Sequence, residues 1–219
     1  DDAQKLLKEI MENKLLWVKG IYGMFPANSE GDDVLVYADD DKRDEVQAKF
    51  CMLRQQMEKE NPDDPYLCQS DFVAPKETGV KDYMGVRRST PLLFCFFRQL
   101  VLTRFLSQMF AVGVFGCEKL VAKYEAENDD YSKIMAQALA DRFAEAFAEA
   151  LHREIRADIW GYSPEETGKD VDAQELHQLH YQGIRPAPGY PSQPDHTEKR
   201  TMWDLMQVEA KTGIVLSDA

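Results

Sequence analysis

Histidines, cysteines and glycines are the residues whose spacing most often marks a reaction centre, and in this 219-residue sequence they form no recognisable site. His177 and His180 lie three apart in a helical stretch, with His152 and His196 remote from them. Without an HExxH motif or a cysteine beside the pair, solvated surface histidines are the expected reading, and no metal site is expected. Cys51, Cys68, Cys95 and Cys117 are scattered without a CxxC pair. That pattern suits free thiols in a reducing, cytoplasmic compartment, not a disulfide framework. No GxSxG elbow, phosphate loop or dinucleotide fingerprint occurs, and Gly20-Ile21-Tyr22-Gly23 is too short for one. Hydrolase, kinase and dehydrogenase chemistry lose their main support.

One segment stands apart: Gly183-Ile184-Arg185-Pro186-Ala187-Pro188-Gly189-Tyr190-Pro191. Fixed prolines make a rigid extended ribbon that can offer backbone hydrogen bonds to a heterocycle at little entropic cost. Arg185 can grip a carboxylate with two parallel bonds, Gly189 permits close approach, and Tyr190 supplies a ring to pack on. The residues alone leave open a plainer alternative, a proline-rich connection between two helices.

The rest of the chain must position that ribbon. Leu6, Leu7, Ile10, Met11 and Leu15 recur at helical spacing, which predicts a first helix over 3–16. Trp17–Ala27 reads as a strand whose two glycines suit a bulge or a close backbone contact. Residues 28–32 read as a turn and Val34–Tyr37 as a second strand, giving an antiparallel hairpin. A charged loop follows at 39–44, then an ambiguous Val46–Met52, a helix former at Leu53–Glu60 and a short strand at Asp71–Pro75. Asp129-Asp130 cap a long helix running to about Gly161, with Met135, Leu139, Phe143, Ala146, Phe147, Ala150 and Leu151 on one face. A shorter helix is expected over 172–180, no helix over Tyr181–Pro194, and a last one from His196-Thr197 to Gly213. The fold class is α+β: a twisted, largely antiparallel sheet flanked by helices, one of them long.

Composition narrows the partners. Lys and Arg number 26 against 39 Asp and Glu, a net charge of −13. That balance opposes binding to nucleic acid or to an anionic membrane surface, and permits a cationic or zwitterionic ligand. The acidic, amphipathic N-terminus is neither a signal nor a transit peptide. Leu92–Gly116 is apolar enough to suggest a membrane span, but Arg98, Gln99, Thr103, Arg104 and Gln108 interrupt it. Each central arginine would cost roughly 2.5–3.5 kcal/mol in the bilayer.

The RPAPGYP ribbon with the following SQPDHTEK (192–199) strongly resembles the reactivation domain of cobalamin-dependent methionine synthases. So do LRQQMEK (53–59), SDFVAPKETGVKDYMG (70–85), MFAVGVFG (109–116) and DDYSKIMAQALADRFAEAFAEALH (129–152). The resemblance implies a single domain over 1–219 that binds S-adenosylmethionine as methyl donor. It also implies reductive reactivation of cob(II)alamin, in support of methyl transfer from methyltetrahydrofolate to homocysteine. The implied partners are the cobalamin-binding module of the same enzyme, which presents the cobalamin, and a flavodoxin-type reductase. Zinc is implied only in the family's homocysteine module. Carried over residue by residue, Arg185 meets the donor's carboxylate and Ala187 and Gly189 contact it by backbone. Tyr190 lies beside the nucleoside and Glu145 near the ammonium; no catalytic residue is implied. A different class of function, a non-catalytic ligand-binding or docking module for the reductase, is the alternative.

Three departures from the family qualify this. The family's domain starts further upstream, with an aspartate that helps bind the donor, and continues past Thr212-Gly213 to another tyrosine, so a truncated domain is expected. The block Val86–Gln108 also interrupts a stretch the family writes continuously. It holds Arg87, Arg88, Arg98 and Arg104 but no acidic residue. Its first valine and last glutamine match the codon edges of an in-frame retained intron, the competing reading being a genuine insertion loop. Transcript sequencing separates the two. Reads that join the codons of Gly85 and Met109 are expected, and reads that always carry the block would make it a true insertion.

Overall fold

The computed structural model describes residues 1–61, 63–85, 109–168, 181 and 183–216. A run of β-branched and aromatic residues makes β1 (Trp17–Glu30) an unusually long strand of 14 residues. It turns through Gly31 at φ 62° into β2 (Asp33–Tyr37), forming the expected antiparallel hairpin. The strand runs through residues 28–30, so the turn is confined to Gly31-Asp32. β3 (Val46–Cys51), the ambiguous stretch, pairs with β2. β4 (Asp82–Gly85) and β5 (Met109–Phe115) both pair antiparallel with β1, which completes a five-stranded sheet.

Helices cover the sheet. α1 (Asp2–Asn13), α2 (Cys117–Ala126) and α3 (Asp130–Glu154) precede α4 (Glu198–Met206) and α5 (Val208–Thr212). Asp129 caps α3 as expected, its carboxylate accepting the Ser132 amide at 3.0 Å. The helix continues through a π turn, Ile155–Ile159, before stopping at Gly161. Leu139 and Phe143 join Met135 against a core of Leu6, Ile10, Leu120 and Tyr124, while Leu151 and Ile155 pack on Phe110 and Val112. Ala146 and Ala150, assigned to the same apolar face, are exposed; the buried alanines are Ala136 and Ala148. The main core lies between the sheet and α4–α5, where Val34, Val36, Phe50 and Met84 meet Met206 and Val208. The Gly20 expectation of close approach is met, since a Cβ there would stand 2.9 Å from the Phe147 ring.

Three elements differ from the sequence reading. Residues 53–60 are not helical. Arg54 is drawn between Asp32 and Asp71, at 2.5 and 2.7 Å, and the Gln55 amide bonds to Leu67 O at 2.9 Å. These contacts hold the segment extended against 66–68 in spite of its helix propensity. Instead of a strand, Gln69–Phe72 is a 3-10 turn in which Asp71 accepts the Cys68 amide. The last helix breaks in two at Gln207, whose φ of 54° ends α4 and starts α5. Cys51, Cys68 and Cys117 are free thiols. Cys95, His177, His180, the 172–180 helix and the 86–108 block lie outside the described residues. Among the described residues no helix is long and apolar enough to cross a membrane.

The register of β1 bears on the block. Met24 faces Gly85 and the adjacent Gly23 faces Met109. Gly85 and Met109 thus occupy consecutive rungs of the ladder, as two bonded neighbours would. A variant lacking Val86–Gln108 is expected to keep every rung of both pairings. It should match the parent in far-ultraviolet circular dichroism and unfold at an equal or higher temperature. Loss of folded signal in that variant would show that the block belongs to the folded domain.

Candidate functional site

The ribbon starts after a sharp reversal at Gly183, where φ is 104° and a Cβ would stand 2.6 Å from the Tyr162 hydroxyl. It remains non-helical to Pro194, as the prolines require. Its far end is closed by its own backbone. The Gly189 amide donates to Gln193 O at 2.8 Å and the Tyr190 amide to Ala187 O at 3.1 Å. Gly189 sits at φ 97° with the His196 ring 2.7 Å from where a Cβ would be, so glycine is the residue that fits.

Arg185, Pro186 and Ala187 form a wall common to two cavities. One, of about 430 Å³, is completed by Leu67, Phe72, Tyr181 and Tyr190. The other, of about 220 Å³, is rich in methionine, with Met52, Met84, Met109 and Met202 beside Phe50, and Glu198 and Lys199 also line it. Tyr190 is 65% exposed and presents its ring to whatever enters the larger cavity.

Behind the ribbon, the end of α3 and its π turn carry an array of charged groups. Arg185 Nη2 donates to Glu149 Oε2 at 2.7 Å. Arg156, fully buried, donates from Nε and Nη2 to the two oxygens of Glu166 at 3.1 and 2.8 Å. Its Nη1 lies 2.7 Å from Nδ1 of His152, also fully buried. Tyr181 closes the array, its ring stacked on the Arg156 guanidinium at 3.8 Å and edge-on to His152 at 5.1 Å. Burial, with the charges of Arg156 and Arg185 beside it, pushes the His152 imidazole down to about 3. The ring is therefore neutral near pH 7 and accepts the Arg156 N–H at Nδ1. Burial also raises the Tyr181 phenol, with the Glu149 charge adding to it.

The structure brings Arg185, Ala187 and Tyr190 to one cavity wall, and Gly189 shapes the turn beside it. Glu145 lies one helical turn before Glu149, but its carboxylate pairs with Arg142 at 2.7 Å and is 62% exposed. Glu149, Tyr181 and the His152–Arg156–Glu166 set escaped the sequence reading. Their signal was present in the spacing of Glu149, His152 and Arg156, three and four residues apart on one helical stripe.

A sheet built on one long strand, a capped helix ending in a π turn, and a proline ribbon that brings an arginine to a cavity define an α+β domain. The sequence matches the family described as "Vitamin B12 dependent methionine synthase, activation domain" over residues 1–91 and 103–219, and the chain belongs to that family. The break in the match falls inside the 86–108 block. A similar solved structure is the crystal structure of the MetH reactivation domain bound to AdoHcy. It is 40% identical with a TM-score of 0.76, and the alignment covers 99% of this chain and 58% of that one.

The buried imidazole generates a pH prediction. The unfolded chain takes up the His152 proton below about 6.5, whereas the folded chain resists it down to about 3. Stability is therefore full above that window and declines as pH falls through it. Between pH 7 and pH 5 the parent should lose about 2 kcal/mol that a His152→Gln variant does not lose. Urea midpoints at the two pH values read the difference. Equal losses in parent and variant would mean that His152 can be protonated in the folded state.

Proposed function

We propose that this chain binds S-adenosylmethionine as methyl donor for the reductive reactivation of cobalamin in a B12-dependent methionine synthase. The observation that carries the reading is Arg185, held on a rigid ribbon at a cavity that Ala187 and Tyr190 also line. The bond to Glu149 engages Nη2, and a guanidinium retains further N–H donors in a planar fork for a carboxylate. Tyr190 offers a face to the nucleoside, and the ribbon backbone offers polar atoms to the adenine. The net charge of −13 suits a ligand that carries an ammonium and a sulfonium beside its one carboxylate. The AdoHcy bound in the similar crystal structure is the demethylated product of such a donor.

In this reading Glu145, one helical turn before Glu149, gives up its surface pairing with Arg142 to meet the ammonium. In this reading the chain supplies the donor, the cobalamin is presented by a neighbouring module of the same enzyme, and a flavodoxin-type reductase supplies the electron. Residues 1–219 act as one activation domain in the methyltransferase.

Calorimetric titration with S-adenosylmethionine tests the reading. Arg185→Lys replaces a planar two-bond fork by a point charge and should weaken binding by about 1.5–3 kcal/mol while leaving the thermal unfolding midpoint unchanged. Unchanged affinity in that variant would remove the role assigned to the ribbon.

A further inference from the structure

Arg185 faces a difficulty that its place on the ribbon does not solve. Its side chain is about one-third exposed, and a long side chain at a surface samples many rotamers unless something holds it. Ion pairs between exposed groups hold little, as with Arg142 and Glu145 further up the same helix. The pair that Arg185 makes is different. Its partner Glu149 is 16% exposed and bonds to Nη2 at 2.7 Å.

We propose that Glu149 is the positioning residue for Arg185, fixing the guanidinium in the orientation that receives a ligand carboxylate. The inference rests on the S-adenosylmethionine reading above. Behind the pair, Glu149 backs onto the buried array at the end of α3. Among the described residues its Oε1 is buried without a hydrogen-bond partner, 3.9 Å from His152 Nδ1. That nitrogen is already committed to Arg156, which is locked in turn by both oxygens of Glu166 and by the Tyr181 ring. A carboxylate with one oxygen buried and unsatisfied is costly unless a cation compensates it, and Arg185 is the cation bonded to this one. Among the described residues the array joins the guanidinium groups of Arg156 and Arg185 to the carboxylates of Glu166 and Glu149 and a neutral imidazole, with Arg153 bonded to the Glu166 backbone at its edge. Glu149 thus holds Arg185, beside Tyr181, at the wall of the cavity a ligand carboxylate would enter.

A simpler role would have Glu149 as a counterion that the ligand must displace, and the two roles predict opposite results. If Glu149 competes for Arg185, removing its charge tightens carboxylate binding. If it positions Arg185, removing either its charge or its reach weakens that binding. S-adenosylmethionine and its decarboxylated analogue separate this effect from a general electrostatic one, because both carry the ammonium and the sulfonium.

Both ligands would be titrated calorimetrically into the parent, Glu149→Gln and Glu149→Asp, with thermal unfolding recorded for each protein. Either substitution should weaken S-adenosylmethionine by about tenfold and change the decarboxylated analogue by less than about twofold. The aspartate variant keeps the charge, so it serves if the glutamine variant unfolds. Equal losses for both ligands, unchanged affinity, or tighter S-adenosylmethionine binding in a folded variant would overturn the positioning role. A parent that binds neither ligand would overturn the functional reading itself, and this inference with it.

Discussion

The guanidinium of Arg156 has no contact with solvent, and a charge in that position has to be matched on every side. Glu166 supplies the countercharge with two bonds, His152 accepts a third, and the Tyr181 ring covers the remaining face. Those demands reach in three directions along the chain. They hold the loop after Pro164 against the helix end, keep an imidazole neutral inside the protein, and fix residue 181 just before the ribbon. The Arg153 side chain adds a bond to Glu166 O at 2.8 Å. The π turn over Ile155–Ile159, where one extra residue is accommodated per turn, holds Arg156 at the centre of these partners. Satisfying one buried cation therefore organises the ground on which Arg185 stands.

The second constraint is β1. It pairs with β5 along Trp17–Gly23, with β4 along Met24–Ala27 and with β2 along Ala27–Glu30. Side chains at its inner end also tie down irregular chain. The Asn28 amide donates to the carbonyls of Ala74 and Val80, and the Ser29 hydroxyl to that of Val73. Lys19, at the outer end, donates to the Thr212 carbonyl of α5. One strand thus has α3 packed against it at Gly20 and α4 at Gly23.

Local signals in the sequence read well where local physics decides. The capped start of α3, the hairpin, the proline ribbon and the α+β class all follow from periodicity, turn chemistry and missing amide donors. The readings that failed did so where a distant partner outweighed a local preference. Leu53–Glu60 has the composition of a helix, but Asp32 and Asp71 claim Arg54 from elsewhere in the chain. Thr197–Thr212 has the period of one helix, yet Gln207 adopts a left-handed conformation so that Met206 and Val208 can both enter the core. Of the site, Arg185 was legible because a rigid ribbon announces itself in its prolines. Glu149 and Arg156 were not, because a charged residue on a helix reads as a solvated one until its burial is known.

The long strand also orders events in time. Its inner half can close on β2 across two residues, a contact available as soon as that stretch of chain exists. Its outer half pairs with 109–115, far along the chain, and α3 packs over Gly20 on that same half. Contacts of such wide sequence separation slow folding far more than they weaken the finished protein. During that wait, half of β1 presents unpaired amides and carbonyls beside Trp17 and Tyr22, which is the period in which another chain could pair with it.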